Sequence, residues 1–300
     1  MNKDALENML FPQRRTLYRL VGVPCILLWS GIFITTLAQV PARQNCLPPA
    51  AGSASLQQQV EIQSRRLSSS DEEERRCAVM SLGWMNRPDS SRAAARALSD
   101  SAAIVRATAA RAILSLPQDE AAALLLPLLT DRDEFVRQET AYALGETRSR
   151  RATSALLTLL EKEKSDGVRG AAVVSLGLIG DEAAVVPLAQ TLNLRVSASG
   201  LINKVRRKKR DENEFVRRAA ARALGQIGNR AAVPALVAAL EDERAPADVR
   251  REAARSLGLI GDPSAAASLR AVLTSDDPYL SRIAYEALIK ISPAEAVRPS

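Results

Sequence analysis

The sequence predicts an all-α protein made of about seven repeated helix pairs that follow an apolar N-terminal helix. Three observations predict it: a helix-forming composition, a pattern that recurs about every 31 residues, and one long stretch without charge. Hydrophobic residues are 47% and aromatic residues 3% of the 300 residues. Ala, Leu and Arg favour helices, whereas the β-branched and aromatic strand formers are scarce.

The uncharged stretch runs from Leu20 to Ala42 and predicts an export signal or a membrane anchor within residues 1–38. Basic residues precede it, so the positive-inside rule places the rest of the chain across the membrane. Its length is close to the roughly 20 residues that span a bilayer, and small residues precede a cut after Ala38. Cleavage and retention both stay open, as does a buried helix of the folded domain. The preceding bases, Lys3, Arg14, Arg15 and Arg19, include a weak twin-arginine pattern.

Residues 39–55 are rich in Pro, Ala, Gly and Ser and are predicted to be a linker. Of the three cysteines, Cys25 lies in the apolar stretch, while Cys46 and Cys77 could pair in an oxidising compartment. No C-x-x-C motif occurs, which argues against zinc and thioredoxin-like sites.

An internal repeat occupies residues 56–292. The segment from Phe135 to Gly145 matches the segment from Phe215 to Gly225, and each repeated Arg is followed seven residues later by Leu or Ile. This spacing places both residues on one helix. Each unit is predicted to contain a short Ala/Leu helix and then a Val-Arg helix, with Gly-Asp pairs such as Gly180-Asp181 between units. The repeated arginines are Arg75, Arg106, Arg137, Arg169, Arg217, Arg250 and Arg282, and the apolar residues are Leu82, Ile113, Leu144, Leu176, Leu224, Leu257 and Ile289.

Neither helix of a unit can bury its apolar face alone, so the pairs must stack into a solenoid with a continuous core. The Val-Arg helix, the following Leu-Gly-x-Ile-Gly-Asp and the Ala-Val-Pro-x-Leu helix together resemble HEAT repeats of the bacterial PBS-lyase HEAT-like class. The resemblance implies a right-handed solenoid whose Val-Arg helices line the concave face. It says little about function. Residues 293–300 are left as a tail.

The resemblance also implies a ladder of hydrogen bonds between neighbouring units. In that class an acid six residues before the repeated Arg takes part. Ser69 and Arg244 depart from this pattern, which puts the ladder in doubt at units one and six. The expected members are Asp100, Arg106, Asp131, Arg137, Glu163, Arg169, Asp211, Arg217, Arg250, Asp276 and Arg282.

Residues 193–210 form a basic insert, where the spacing of the repeated Arg grows to 48 residues. The insert holds seven bases and no acid, and it accounts for the positive charge of the chain that follows residue 38. The repeat alignment places it between the two helices of unit five, at one edge of the solenoid. Loops extended at one repeat are frequent binding sites. The predicted binding residues are Lys204, Arg206, Arg207, Lys208, Lys209 and Arg210; the alternative is a solvated loop.

Four arginines, Arg218, Arg222, Arg251 and Arg255, recur at matching positions of two successive Val-Arg helices. Facing the groove, they would bind carboxylate or phosphate. A solvated face with pairs inside each helix is the alternative. Tyr142 on the same stripe is a weaker candidate for a peptide anchor, and Trp84 is expected to cap the core of unit one.

The chain has no His, which removes the commonest general base and metal ligand. We therefore expect no catalytic residue, metal or cofactor. The leading hypothesis is a non-enzymatic scaffold, anchored or exported to the outer side of the cytoplasmic membrane, that binds an acidic protein.

A phycobilin lyase-like subunit acting on phycobiliproteins is the alternative implied by the resemblance. Deoxyhypusine hydroxylase also has HEAT-like repeats, but its two irons need His ligands that this chain lacks. An anionic membrane surface is a further partner to consider, whereas the scarcity of aromatic residues disfavours nucleic acid.

Overall fold

The structure, a computed structural model, describes residues 55–193 and 213–293. Within these ranges every regular element is a helix. The apolar stretch, nearly all of the linker and of the basic insert, and the tail from residue 294 lie outside the described residues, as do the predictions that concern them.

Fourteen α-helices in the described ranges form seven pairs, here called units one to seven. The first helices are α1 (Leu56–Arg66), α3 (Pro88–Ala95), α5 (Gln118–Leu125), α7 (Thr153–Lys162), α9 (Val185–Asn193), α11 (Val233–Glu241) and α13 (Ala266–Ala271). The second, Val-Arg helices are α2 (Glu72–Trp84), α4 (Ala103–Ala112), α6 (Glu134–Thr147), α8 (Asp166–Ile179), α10 (Glu214–Ile227), α12 (Ala247–Ile260) and α14 (Pro278–Ile291). Short 3₁₀ turns precede or follow six of the first helices.

Local sequence sets where these helices begin and end. Asp133 caps α6 by accepting hydrogen bonds from the backbone amides of Phe135 and Val136. Three Val-Arg helices end on glycines with φ between 71° and 74°, a left-handed conformation that Gly adopts without steric cost. The Asp or Asn after each glycine then caps the 3₁₀ turn of the next unit, as Asp181 does.

The Val-Arg helices pack side by side in chain order, from α2 to α14. Small residues allow this close approach. A Cβ added to Gly145 would lie 2.7 Å from Cα of Ser175 on the next Val-Arg helix. The hydroxyl of Ser175 donates to the carbonyl oxygen of Ala141 at 2.7 Å, so a buried hydrogen bond joins the same two helices.

The apolar stripe of the Val-Arg helices forms the core. In units one to six the Leu or Ile seven residues after the repeated Arg is fully buried. Unit seven differs, because Leu288 is fully buried while Ile289 is 42% exposed. Its register is therefore one residue earlier than the sequence spacing predicts. Asp277 caps α14 and Pro278 begins it, so Ser281 occupies the position of the repeated Arg, and Arg282 does not.

In the part of the chain that the structure describes, no helix is both long and apolar enough to cross a bilayer. Cys77 of α2 is buried and forms a disulfide. Its partner cysteine lies outside the described residues.

Candidate protein-binding face

The repeated arginines of units one to three join each unit to the next. Arg106 lies on α4, and its Nε donates to Oδ2 of Asp131 at 2.7 Å while its Nη2 donates to Oδ1 at 2.8 Å. Nη1 donates to the carbonyl oxygen of Asp100, so one guanidinium also holds the turn of its own unit. Arg75 pairs with Asp100 through the same two hydrogen bonds, and Nε of Arg137 donates to Oε2 of Glu163 at 2.7 Å. Asp100, Asp131 and Glu163 are hereafter the ladder acids.

The repeated arginines of units four to six bind a backbone carbonyl oxygen of the preceding helix. Nε of Arg169, Arg217 and Arg250 donates to the carbonyl oxygen of Leu160, Leu192 and Leu240, respectively, at the end of the preceding helix. Asp211 lies outside the described residues. No ion pair joins Arg250 to Asp276, both of which are described. This follows from the register of unit seven, where Ser275 and Ser281 occupy the ladder positions.

The guanidinium groups lower the pKa of the ladder acids. Hydrogen bonds from Arg75 and Arg106 hold the pKa of Asp100 and Asp131 below the ordinary value for Asp. Burial raises the pKa of Glu163, but hydrogen bonds from Arg137 and from two backbone amides outweigh it and leave this pKa lowered as well. The ladder acids are therefore carboxylates at neutral pH.

Two of the four predicted groove arginines belong to a line of alternating charges across units five to seven. Nη1 of Arg218 donates to Asp248 at 3.1 Å, and Arg251 donates to Asp248 at 3.0 Å and to both oxygens of Asp277 at 2.8 and 3.0 Å. The guanidinium carbon of Arg251 also lies 5.1 Å from the ring centroid of Tyr279. These two arginines are thus balanced by acids of the chain itself, and their role in binding a partner stays a prediction.

The other two arginines share one acid. Nε of Arg222 donates to Glu252 at 3.0 Å, and Nε of Arg255 lies 3.9 Å from the same carboxylate. The side chain of Glu252 is 8% exposed, whereas those of Arg222 and Arg255 are 58% and 57% exposed. This cluster therefore presents two cations to solvent against one buried carboxylate.

Tyr142 is half-buried and packs against the core. Burial, together with the charge of Glu139, raises the pKa of its phenol, which stays neutral. Trp84 is 47% exposed, more than a residue that caps the core would be. It lines a cleft of about 430 Å³ across α2, α4 and α6, where Arg111 contacts Glu139 and Glu146 at 3.4 Å.

Sequence reasoning did not predict the acids that balance the groove arginines Arg218 and Arg222. Asp248 and Glu252 each follow their arginine by 30 residues, about one repeat. An alignment of the repeats contains this signal, because equivalent positions of adjacent helices face each other.

Only α9 and α10 flank the basic insert within the described chain. Among the described residues, no group of three or more His, Cys, Asp or Glu side chains is placed to hold a metal ion.

Helix pairs stacked through a row of arginine–carboxylate contacts define an α-solenoid repeat protein. The family model for HEAT repeats matches residues 63–145, 125–197 and 198–289. The chain therefore belongs to the HEAT-repeat family. No curated protein matches the sequence.

Several solved structures are similar to the chain. The complex of CpcE and CpcF of phycocyanin lyase from Nostoc sp. PCC7120 is 24% identical, with a TM-score of 0.47 over 84% of this chain and 95% of that one. Human deoxyhypusine hydroxylase is 20% identical, with a TM-score of 0.36 over 78% and 96%. An engineered protein is 22% identical, with a TM-score of 0.35 over 78% and 96%. Likeness at this level extends to the fold alone.

Proposed function

We propose that the protein is a non-enzymatic scaffold that binds an acidic protein through the basic insert and the adjacent Val-Arg helices. The distribution of charge carries the proposal. Arg111, Arg218 and Arg251 of the described Val-Arg helices are balanced by acids of their own or a neighbouring helix, whereas the insert holds seven bases without one acid. Like charges so close in sequence repel one another, and an acidic partner relieves that repulsion.

The Arg222–Glu252–Arg255 cluster supports the same partner. It lies on α10 and α12, the two Val-Arg helices that follow the insert, and carries one more positive than negative charge. A pair with a 3.9 Å separation and an exposed arginine contributes little to folding. Arg255 is therefore available to a carboxylate of the partner, with Arg222 beside it.

We place this scaffold on the outer side of the cytoplasmic membrane, anchored or secreted. The uncharged stretch behind a basic N-terminus supports the placement, and so does the disulfide at Cys77, because structural disulfides persist in oxidising compartments. A reporter fused after Ser300 tests it: periplasmic enzyme activity of the fusion is expected. Activity restricted to the cytoplasm would overturn the placement.

The binding proposal is tested by crosslinking envelope fractions and then capturing the full chain together with the proteins bound to it. The variant carries Ser at Lys204, Arg206, Arg207, Lys208, Lys209 and Arg210. We expect the variant to capture fewer of the acidic proteins that the parent chain captures. The loss should be larger for proteins whose release from the parent chain needs a higher salt concentration. The matched control carries Ser at six bases outside the insert: Arg65, Arg87, Arg96, Arg132, Lys162 and Lys290.

An unchanged set of captured proteins, or equal losses in the control, would refute the role of the insert. Turnover of a substrate by the purified chain, including attachment of a linear tetrapyrrole to a phycobiliprotein, would refute the non-enzymatic assignment.

A further inference from the structure

One face of α2 occupies the position at which a preceding unit would pack. In unit four, Ser175 lies one residue before the buried leucine of the Val-Arg helix, and its hydroxyl donates to the carbonyl oxygen of Ala141 on the preceding Val-Arg helix at 2.7 Å. Ser81 of α2 has the same place in unit one, directly before Leu82. The side of α2 that carries Ser81 is therefore the side that a preceding Val-Arg helix would contact.

This side of α2 is buried, although no unit precedes unit one among the described residues. Ser81 is 1% exposed, and Cys77, one helical turn earlier, is 2% exposed. The hydroxyl of Ser81 donates to the carbonyl oxygen of Cys77 at 2.9 Å, so this bond stays within α2. The one described helix before α2 is α1, and none of its residues is buried. Because a contact that encloses one face also buries its partner, α1 does not account for the burial.

The disulfide of Cys77 indicates which segment covers this face. A disulfide holds the Cα atoms of its two cysteines within about 7 Å of each other, so the chain beside the partner cysteine lies against α2. Of the two other cysteines, Cys25 lies in the uncharged stretch, whereas Cys46 precedes Cys77 by 31 residues. The same spacing separates Arg75 from Arg106. Cys46 thus has the register of a preceding repeat, in which equivalent positions face each other.

The opposite end of the stack is closed by a side chain. Gly258 of α12 leaves room for α14, since a Cβ at this position would lie 2.7 Å from Cβ of Ala287. In α14 the equivalent position, directly after the buried Leu288, holds Ile289. A further helix cannot approach α14 as closely as α14 approaches α12. The small residues on the open side of α2 form no such obstacle, so this end requires a cover of another kind.

We propose that residues 43–54 are an end cap of the repeat stack. They lie between the uncharged stretch and α1 and contain Cys46. The cap covers the Cys77–Ser81 side of α2 in place of a preceding Val-Arg helix, and the Cys46–Cys77 disulfide holds it there. Terminal caps keep the end of a repeat protein from exposing its stacking surface. The segment predicted as a linker thereby becomes part of the folded domain, independently of the proposed binding function.

Thiol accessibility in the full chain tests the end cap. Ser81→Cys places a reporter under the cap, and Ser175→Cys places one at the equivalent position of α8, where α6 covers it. Each reporter is labelled with a maleimide in the oxidised chain and in a chain that also carries Cys46→Ser and Cys77→Ser. Peptide mass spectrometry assigns the labelled cysteine. Without the disulfide, we expect position 81 to react about tenfold faster, because local opening governs the reactivity of a buried group. Position 175 should react slowly in both chains.

Three results would overturn the end cap. The first is fast labelling of Ser81→Cys in the oxidised chain, and the second is an equal labelling rate with and without the disulfide. The third is faster labelling at both reporter positions, which would mean that loss of the disulfide loosens the whole stack. Far-UV circular dichroism of each variant verifies that its helix content is retained.

Discussion

Replacing Asp131 by Asn tests the ladder where its geometry is best defined. The carboxylate accepts two hydrogen bonds from Arg106, at 2.7 and 2.8 Å, and one from the backbone amide of Asp133 at 2.9 Å. Asn removes the negative charge and turns an NH₂ group toward a guanidinium that can only donate. Arg106 is then left without its carboxylate at the boundary between units two and three.

The burial of the Arg106–Asp131 pair sets the expected loss of stability. The side chains of Arg106 and Asp131 are 8% and 11% exposed. Breaking a buried pair by removing one partner costs roughly 3–5 kcal/mol, and residual exposure places this pair at the lower end, about 3 kcal/mol. Glu286→Gln is the control, because Glu286 and Arg282 are 56% and 60% exposed and form a pair worth about 0.5 kcal/mol or less.

Urea unfolding of the full chain, followed by far-UV circular dichroism, measures the difference. Since each repeat contacts only its neighbours, hydrogen exchange should also accelerate in units two and three of the Asp131→Asn variant and stay unchanged in units five to seven. A loss of stability equal to that of Glu286→Gln, or faster exchange spread over all units, would refute the reasoning.

Three further predictions concern packing, pH and the disulfide. Gly225→Ala places a Cβ 2.5 Å from Oγ of Ser256, so overpacking of about 1–3 kcal/mol should exceed the gain in helix propensity of about 1 kcal/mol. Gly167→Ala, whose nearest neighbour is the flexible Oε1 of Gln138 at 3.2 Å, should be neutral or stabilising in the same urea titration. The ladder acids have a lowered pKa in the folded state, so their contribution is complete above the unfolded value near pH 4 and is lost as pH falls through the folded pKa. Acid titration should show this loss, and Asp131→Asn should show less of it; equal curves would contradict the assignment. Mass spectrometry of unreduced tryptic peptides should find Cys77 linked to Cys46, and a free Cys77 thiol in native material would contradict the disulfide.

Local sequence predicts much of the fold. Helix pairs, the Val-Arg helices and the Gly-Asp boundaries follow from periodicity and capping, which act within one unit. The register of unit seven does not, because Arg282 maintains the apparent spacing while Asp277 and Pro278 set the start of α14 one residue earlier. Counting from the cap would have placed Leu288 in the core.

Less of the candidate site could be predicted from local sequence, because its contacts join different units. The arginines were visible as a repeated pattern, but their balance by Asp248, Glu252 and Asp277 depends on the registry of adjacent helices. The cleft beside Trp84 depends on three helices from three units. A search restricted to one repeat at a time misses both.

Photo-crosslinking in living cells tests most directly whether the Val-Arg helices bind a protein. A benzophenone amino acid replaces Phe135 or Phe215, exposed on Val-Arg helices, or Val186, which is 63% exposed on the first helix of unit five. The account predicts that irradiation joins the chain to a partner from both Phe positions and not from Val186. Adducts from Val186 alone, or from none of the three positions, would contradict it.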